Sequence, residues 1–211
     1  MDYLCYKLSE LPPGTADLSQ LPVEEQELCT RRGRAYLLTR CLLRQELARR
    51  LNAAPQSIKL EYSQHGKPGL PGHPLHFNLS HSADLLCLAF HHAPVGIDVQ
   101  ELRPRTVSER LAERIMCPKQ LKKWQQRGKS PEEFFTCWCI AEALVKHAAS
   151  TIWQAKDYPF LIHESHVQML YENAPALRVF HPAPGYLGAV AYDIPSCQKQ
   201  HGMVQSSEPI R

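Results

Sequence analysis

Asp98 lies in the run Ala93-Pro-Val-Gly-Ile-Asp-Val-Gln100, a carboxylate between two β-branched residues. Val95, Ile97 and Val99 alternate with Gly96, Asp98 and Gln100, so a strand of period two puts Asp98 and Gln100 on one face. A polar pair on an apolar strand is either the wet side of an edge strand or a place where a carboxylate serves a ligand. A second carboxylate, Glu142, belongs to a helix whose start is written at Ser130-Pro-Glu-Glu133: an N-cap serine, proline at the first helical position, and glutamate three after the cap. At about 100° per residue, Phe134, Phe135, Trp138, Ala141 and Val145 form its apolar face, with Glu142 and Lys146 on the shoulder. That i,i+4 pair suits a surface ion pair, or a half-buried carboxylate that persists because it binds a cation.

Residues 31 to 50 hold Arg31, Arg32, Arg34, Arg40, Arg44, Arg49 and Arg50 against the single acid Glu46. Such a stripe points to a phosphate-bearing or acidic partner, or to a solvated basic face. Arg40 and Arg44 are one turn apart, so their guanidinium groups could converge on one anion. Ser80 and His81 stand where one strand ends and the next has yet to begin. Adjacent residues on an extended chain point to opposite sides, so this is no nucleophile-base pair; contact with phosphate or sugar fits better, against the alternative of a plain polar turn.

The elements that must position these groups follow in order. Residues 22 to 51 read as one helix with Leu37, Leu38, Cys41, Leu42 and Ala48 as its apolar stripe and Asn52 as a left-handed stop. Glycines and prolines make residues 65–74 a loop. Residues 75–79, 84–90 and 95–100 read as strands of an antiparallel meander, with His91–Pro94 as a turn between the last two. Residues 107–127 read as helical, interrupted near Cys117-Pro118, and residues 166–172, 176–181 and 186–193 as strands. The pattern is helix then meander, twice, with residues 195–211 as a frayed polar tail.

With 211 residues, 44% hydrophobic and 21% charged, the chain supports one ample core or two modest halves and is neither disordered nor fibrous. The cysteines Cys5, Cys29, Cys41, Cys87, Cys117, Cys137, Cys139 and Cys197 show no CxxC spacing and several sit in apolar runs, so reduced, buried thiols are expected. Without a signal-like start or a membrane-length apolar run, the expected place is the cytoplasm.

With Gly66-Lys-Pro68, Phe77-Asn-Leu-Ser-His-Ser82, Gly96-Ile-Asp-Val99 and Trp138-Cys-Ile-Ala-Glu-Ala-Leu-Val-Lys146 in this order, the chain resembles the 4′-phosphopantetheinyl transferases. The likeness is to their longer, two-half class, typified by the surfactin activator and the AcpT-like enzymes, and runs from about Arg31 to Lys146. Arg114-Ile-Met-Cys-Pro-Lys-Gln120 resembles a fifth, degenerate motif. The resemblance implies an α+β pseudo-dimer, residues 1–103 and 104–194, each half a helix on an antiparallel meander, with the site in the cleft between them. It implies transfer of the phosphopantetheine arm of coenzyme A to a serine of an apo carrier protein, releasing adenosine 3′,5′-bisphosphate, in the manner of a holo-acyl-carrier-protein synthase.

By the same likeness Asp98 and Glu142 hold Mg²⁺, or Mn²⁺ in its place, and Lys146 contacts the phosphates. Lys67, Ser80 and His81 grip the nucleotide end, and Arg40 with Arg44 meets the nucleotide phosphate. Mg²⁺ needs only a few hard oxygen ligands beside water and phosphate, so two carboxylates suffice, and Glu142 is the natural general base. The implied partner is an acidic carrier protein, with no nucleic acid and no membrane, and the implied unit is a monomer. Three positions depart from the family: Gln100 replaces a carboxylate and serves as a weaker metal ligand, Gln120 replaces a glutamate, and Ala141 replaces a lysine. Two rivals remain: a catalytically silent coenzyme A- or carrier-binding relative, and a basic nucleic-acid-binding module, which here lacks stacking motifs.

Overall fold

Leu85-Leu-Cys-Leu-Ala-Phe90 is apolar at every position, and a strand of that kind must be covered on both faces. The computed structural model, which describes residues 1–103, 107–164 and 166–194, makes it the centre of a three-stranded sheet. The chain runs β1 (Asp2–Lys7), α1 (Val23–Arg32), α2 (Arg34–Leu51), β2 (Glu61–Tyr62), β3 (Pro68–Gly69), β4 (His76–Ser82), β5 (Leu85–His91) and β6 (Val95–Glu101). It continues through α3 (Glu109–Ile115), α4 (Pro118–Gln126), α5 (Pro131–His147), β7 (Phe160–Ile162), β8 (Val167–Met169), β9 (Ala176–Phe180) and β10 (Tyr186–Tyr192).

The first sheet has the order β1-β5-β4, antiparallel throughout. Leu86, Leu88 and Phe90 pack on Leu38, Leu42, Leu43 and Leu47 of α2, while the alternate residues Leu85, Cys87 and Ala89 meet Val95, Ile97, Val99 and Val190. The second sheet has the order β6-β10-β9, also antiparallel, and lays Leu187, Ala189 and Ala191 under the apolar face of α5. Each such leucine contributes about 1.5–3 kcal/mol on burial, so these faces fix the stacking of helix, sheet, sheet and helix.

β4 and β6 join the two sheets without a backbone ladder. Asn78 Oδ1 accepts from the amide of Ile97 (2.9 Å), Ser80 Oγ from Val99 (3.2 Å) and Ser82 Oγ from Glu101 (3.0 Å). The offset is 19 residues at every rung, so the strands run parallel. The alternating polar residues of Asn78-Leu-Ser-His-Ser82 are this seam.

Helices and antiparallel sheets make the fold α+β, as expected, but several local expectations are corrected. The helix over 22–51 is two helices, because Gly33 at φ 81° breaks it in a backbone region open to glycine. Asn52 ends α2 in the left-handed conformation, as read. β6 does not continue a meander from β5; it pairs with β10, far along the chain. β8 pairs with the short β7 rather than with β9, and β1 is a strand that the sequence reading passed over. Cys5 and Cys87 stand directly opposite in the β1-β5 register and form a disulfide, against the expectation of reduced thiols. Cys29, Cys41, Cys117, Cys137 and Cys139 are free. The tail 195–211, with Cys197, lies outside the described residues. Among the described residues no helix is long and apolar enough to cross a membrane.

Candidate active site

β6 and α5 bring the acidic groups together. Asp98 is only 2% exposed, and a buried carboxylate must be paired. Its Oδ1 accepts from Ser80 Oγ and from Lys146 Nζ, each at 2.7 Å, and its Oδ2 from the Gln100 amide at 3.1 Å. Lys146 Nζ also donates to Ser80 Oγ (3.2 Å) and to the carbonyl of Ile97 (3.3 Å). Burial lowers the affinity of Lys146 for its proton, but the charges of Asp98 and Glu142 outweigh this and its pKa is raised. Glu142 stands one turn before Lys146 on the same side of α5. Burial, and then the charge of Asp98, push its carboxyl up against the opposing pull of Lys146. α5 itself starts as read, with Ser130 Oγ accepting from the amide of Glu133 at 3.4 Å and proline in the first turn.

Asp98, Gln100, Glu142, Lys146, Ser80, His81 and Arg40 all line one cavity of about 710 Å³. Arg32, Tyr36 and Trp138 line it as well. Arg32 and Tyr36 were missed as site residues: Arg32 reads only as part of the basic stripe, and the break at Gly33 that separates α1 from the start of α2 is masked by that stripe.

Arg44 does not reach the cavity. Arg40 and Arg44 do converge on one anion, but that anion is Glu25 of α1: Arg40 Nη2 is 2.6 Å and Arg44 Nη2 2.7 Å from Glu25 Oε1. Arg44 Nε also donates to Glu25, and Nη1 donates to the carbonyls of Pro55 and Ile58, so four of its five N–H donors are engaged inside the protein. Burial alone would raise the Glu25 carboxyl, yet the hydrogen bonds and charges of Arg44 and Arg40 hold it at about 2. Lys67 is also elsewhere: its ammonium donates to the carbonyls of Val95, Lys146 and His147.

The donor chemistry suits a hard divalent ion. Asp98, Glu142 and the Gln100 amide oxygen are hard ligands, and the raised Glu142 reflects its burial first and the nearby Asp98 charge after it, against the pull of Lys146. Among the described residues there is no cluster of three or more His, Cys, Asp or Glu suited to a metal. An ion here would therefore complete its shell with water and substrate phosphate, as Mg²⁺ does.

Residues 94–184 match the model of the 4′-phosphopantetheinyl transferase superfamily. The 4′-phosphopantetheinyl transferase Sfp of Bacillus subtilis (strain 168) is 24% identical over 204 residues, 90% of each chain. The 4′-phosphopantetheinyl transferase AcpT of Escherichia coli (strain K12) is 31% identical over 188 residues, 85% of this chain and 87% of its own. The chain belongs to the 4′-phosphopantetheinyl transferase family.

Two departures from this transferase pattern lie away from the cavity. Gln120 is fully buried, donating to Glu133 (3.1 Å) and accepting from the amide of Ile162 (2.8 Å), so it ties α4 to α5 and to β7. Ala141 is 1% exposed in the core under α5, where a lysine would carry a charge inward. Only Gln100 changes the lining of the cavity.

Proposed function

We propose that this transferase moves the 4′-phosphopantetheine arm of coenzyme A to a serine hydroxyl of an acidic apo carrier protein and releases adenosine 3′,5′-bisphosphate. The carrying observation is the meeting of Asp98 from β6 with Glu142 and Lys146 from α5 in one cavity that also contains Ser80, His81 and Arg40. Asp98, Glu142 and Gln100 would hold Mg²⁺, or Mn²⁺, which when bound offsets the charge of the diphosphate. Glu142 accepts the proton as the serine oxygen bonds to the phosphorus bearing the pantetheine arm, and the bridging P–O bond breaks toward the bisphosphate. Burial raises the Glu142 carboxyl, which makes its carboxylate a stronger base for this step. Lys146 neutralises charge developing on the phosphates, and Arg40, Ser80 and His81 are placed for the nucleotide end.

The two-half organisation is part of this reading. Residues 1–103 supply α2 over the sheet β1-β5-β4, while residues 104–194 supply α5 over a sheet in which β9 and β10 are their own and the third strand, β6, comes from the first stretch. Both carboxylates come from one chain, which supports a monomer as the working unit, in the cytoplasm where coenzyme A and carriers meet.

The test is intact-mass measurement of purified apo acyl and peptidyl carriers after incubation with coenzyme A, Mg²⁺ and this protein. Gain of one phosphopantetheine mass on the carrier serine is expected. One observation favours a second reading, a silent binding relative: both oxygens of Asp98 already accept hydrogen bonds from protein groups. Coenzyme A binding without any mass gain would select it.

A further inference from the structure

Lys67 stands in the glycine- and proline-rich loop, yet its ammonium is turned into the protein. It donates to the carbonyl oxygens of Val95 (2.9 Å), Lys146 (2.6 Å) and His147 (3.4 Å). Three acceptors match the three donors of an ammonium group. Among the described residues it forms no ion pair with a carboxylate, and burial pushes its pKa down to about 8. A desolvated cation without a counter-ion persists only where oriented dipoles hold it. The last carbonyls of α5 are such a place, since a helix C-terminus carries partial negative charge and unsatisfied acceptors.

The same spot is where β6 and α5 touch through bare backbone. A Cβ added to Gly96 would lie 2.1 Å from the Ala143 carbonyl oxygen and 2.3 Å from the His147 amide, so only glycine lets the strand lie on the helix. Val95 begins β6 and His147 ends α5. Asp98 is three residues past Val95, and Lys146 itself supplies one of the accepting carbonyls of the clamp.

We infer that Lys67 is a positioning residue that caps α5 and pins it to β6, setting the separation of Asp98 from Glu142 and Lys146, rather than a contact to the nucleotide. A phosphate that drew this ammonium away would take a donor from all three carbonyls, of which that of Lys146 keeps a backbone bond from the Ala149 amide (3.3 Å). The inference deepens the proposed transfer reaction and rests on it for its catalytic part alone.

The first experiment needs no turnover. Wild-type protein is acetylated under native conditions with and without coenzyme A, and Lys67 modification is read by peptide mass spectrometry. Slow labelling in both states is expected; rapid labelling that coenzyme A suppresses would overturn the clamp. The second experiment uses Lys67→Met and Lys67→Arg. Lys67→Met is expected to lower kcat about ten- to hundred-fold, the scale of a small misplacement of catalytic groups, with KM for coenzyme A within about threefold of wild type. Lys67→Arg, which can still donate to carbonyls, should recover part of that kcat. A large rise in KM at unchanged kcat would make Lys67 a nucleotide contact, and an unchanged kcat in Lys67→Met would remove its positioning role. If the wild type transfers nothing, the proposed reaction fails while the labelling result still decides the clamp.

Discussion

Lys146 Nζ lies 2.7 Å from Asp98 Oδ1, so the cation of α5 and the carboxylate of β6 are joined across the boundary between helix and strand. The Asp98 side chain is 3% exposed and that of Lys146 27%. Removing the cation leaves a buried carboxylate without a charge partner. Lys146→Met is expected to cost about 1–3 kcal/mol, below the full value for a buried pair because the lysine is partly wet, and to abolish most turnover. Urea unfolding and the carrier-mass assay measure the two effects; full activity in this variant would sink the role of Lys146.

Glu142 differs, because among the described residues its carboxylate takes no hydrogen bond or ion pair from another side chain or backbone group. Glu142→Gln should therefore leave stability within about 0.5 kcal/mol or raise it slightly, since a buried charge disappears. Turnover should fall by about 100-fold or more with loss of the base and a metal ligand. A variant that unfolds, or one that works normally, would contradict this division.

Gln100 donates to Asp98 Oδ2 at 3.1 Å. Gln100→Glu replaces that bond with like-charge repulsion and adds a hard ligand. The expected result is lower thermal stability without metal, a smaller Mg²⁺ concentration at half-maximal rate, and turnover equal to or above the parent. A Mg²⁺ titration of the initial rate decides it.

Glu25 gives the acid limb of stability. Its folded-state carboxyl is held at about 2 against an ordinary 4.5, so its contribution is complete above about 4.5 and lost as the pH falls through about 2. Linkage puts this at roughly 3 kcal/mol near neutral pH. Glu25→Gln should lose at least that much at pH 7, leaving two guanidinium groups unpaired, and its unfolding curve should approach the parent's as the pH drops from 4.5 toward 2. A gap that stays constant over that range would show that the charge of Glu25 is not what matters.

What was legible depended on how local the cause is. The start of α5 was readable because Ser130, Pro131 and Glu133 act within one turn, and the stop at Asn52 for the same reason. The break at Gly33 was not, since the apolar stripe of α2 starts only after it and the basic residues run straight through. The partner of β6 was hidden because the turn His91–Pro94 looks like a hairpin, whereas pairing with β10 depends on faces made elsewhere in the chain. Six cavity residues beyond Asp98 were named from motif likeness, and the structure brings all of them together. Arg44 and Lys67 were misplaced because a motif shows that a cation is present without showing which acceptors already surround it.

The three-rung seam between β4 and β6 has a consequence for how this molecule tolerates change. A ladder of peptide groups is indifferent to side-chain identity, but this attachment is spelled by Asn78, Ser80 and Ser82, and each can be erased by one codon. The middle letter, Ser80, also touches Asp98. Drift at a joint between layers would thus reach the chemistry directly, because Ser80 serves the seam and the Asp98 carboxylate at once.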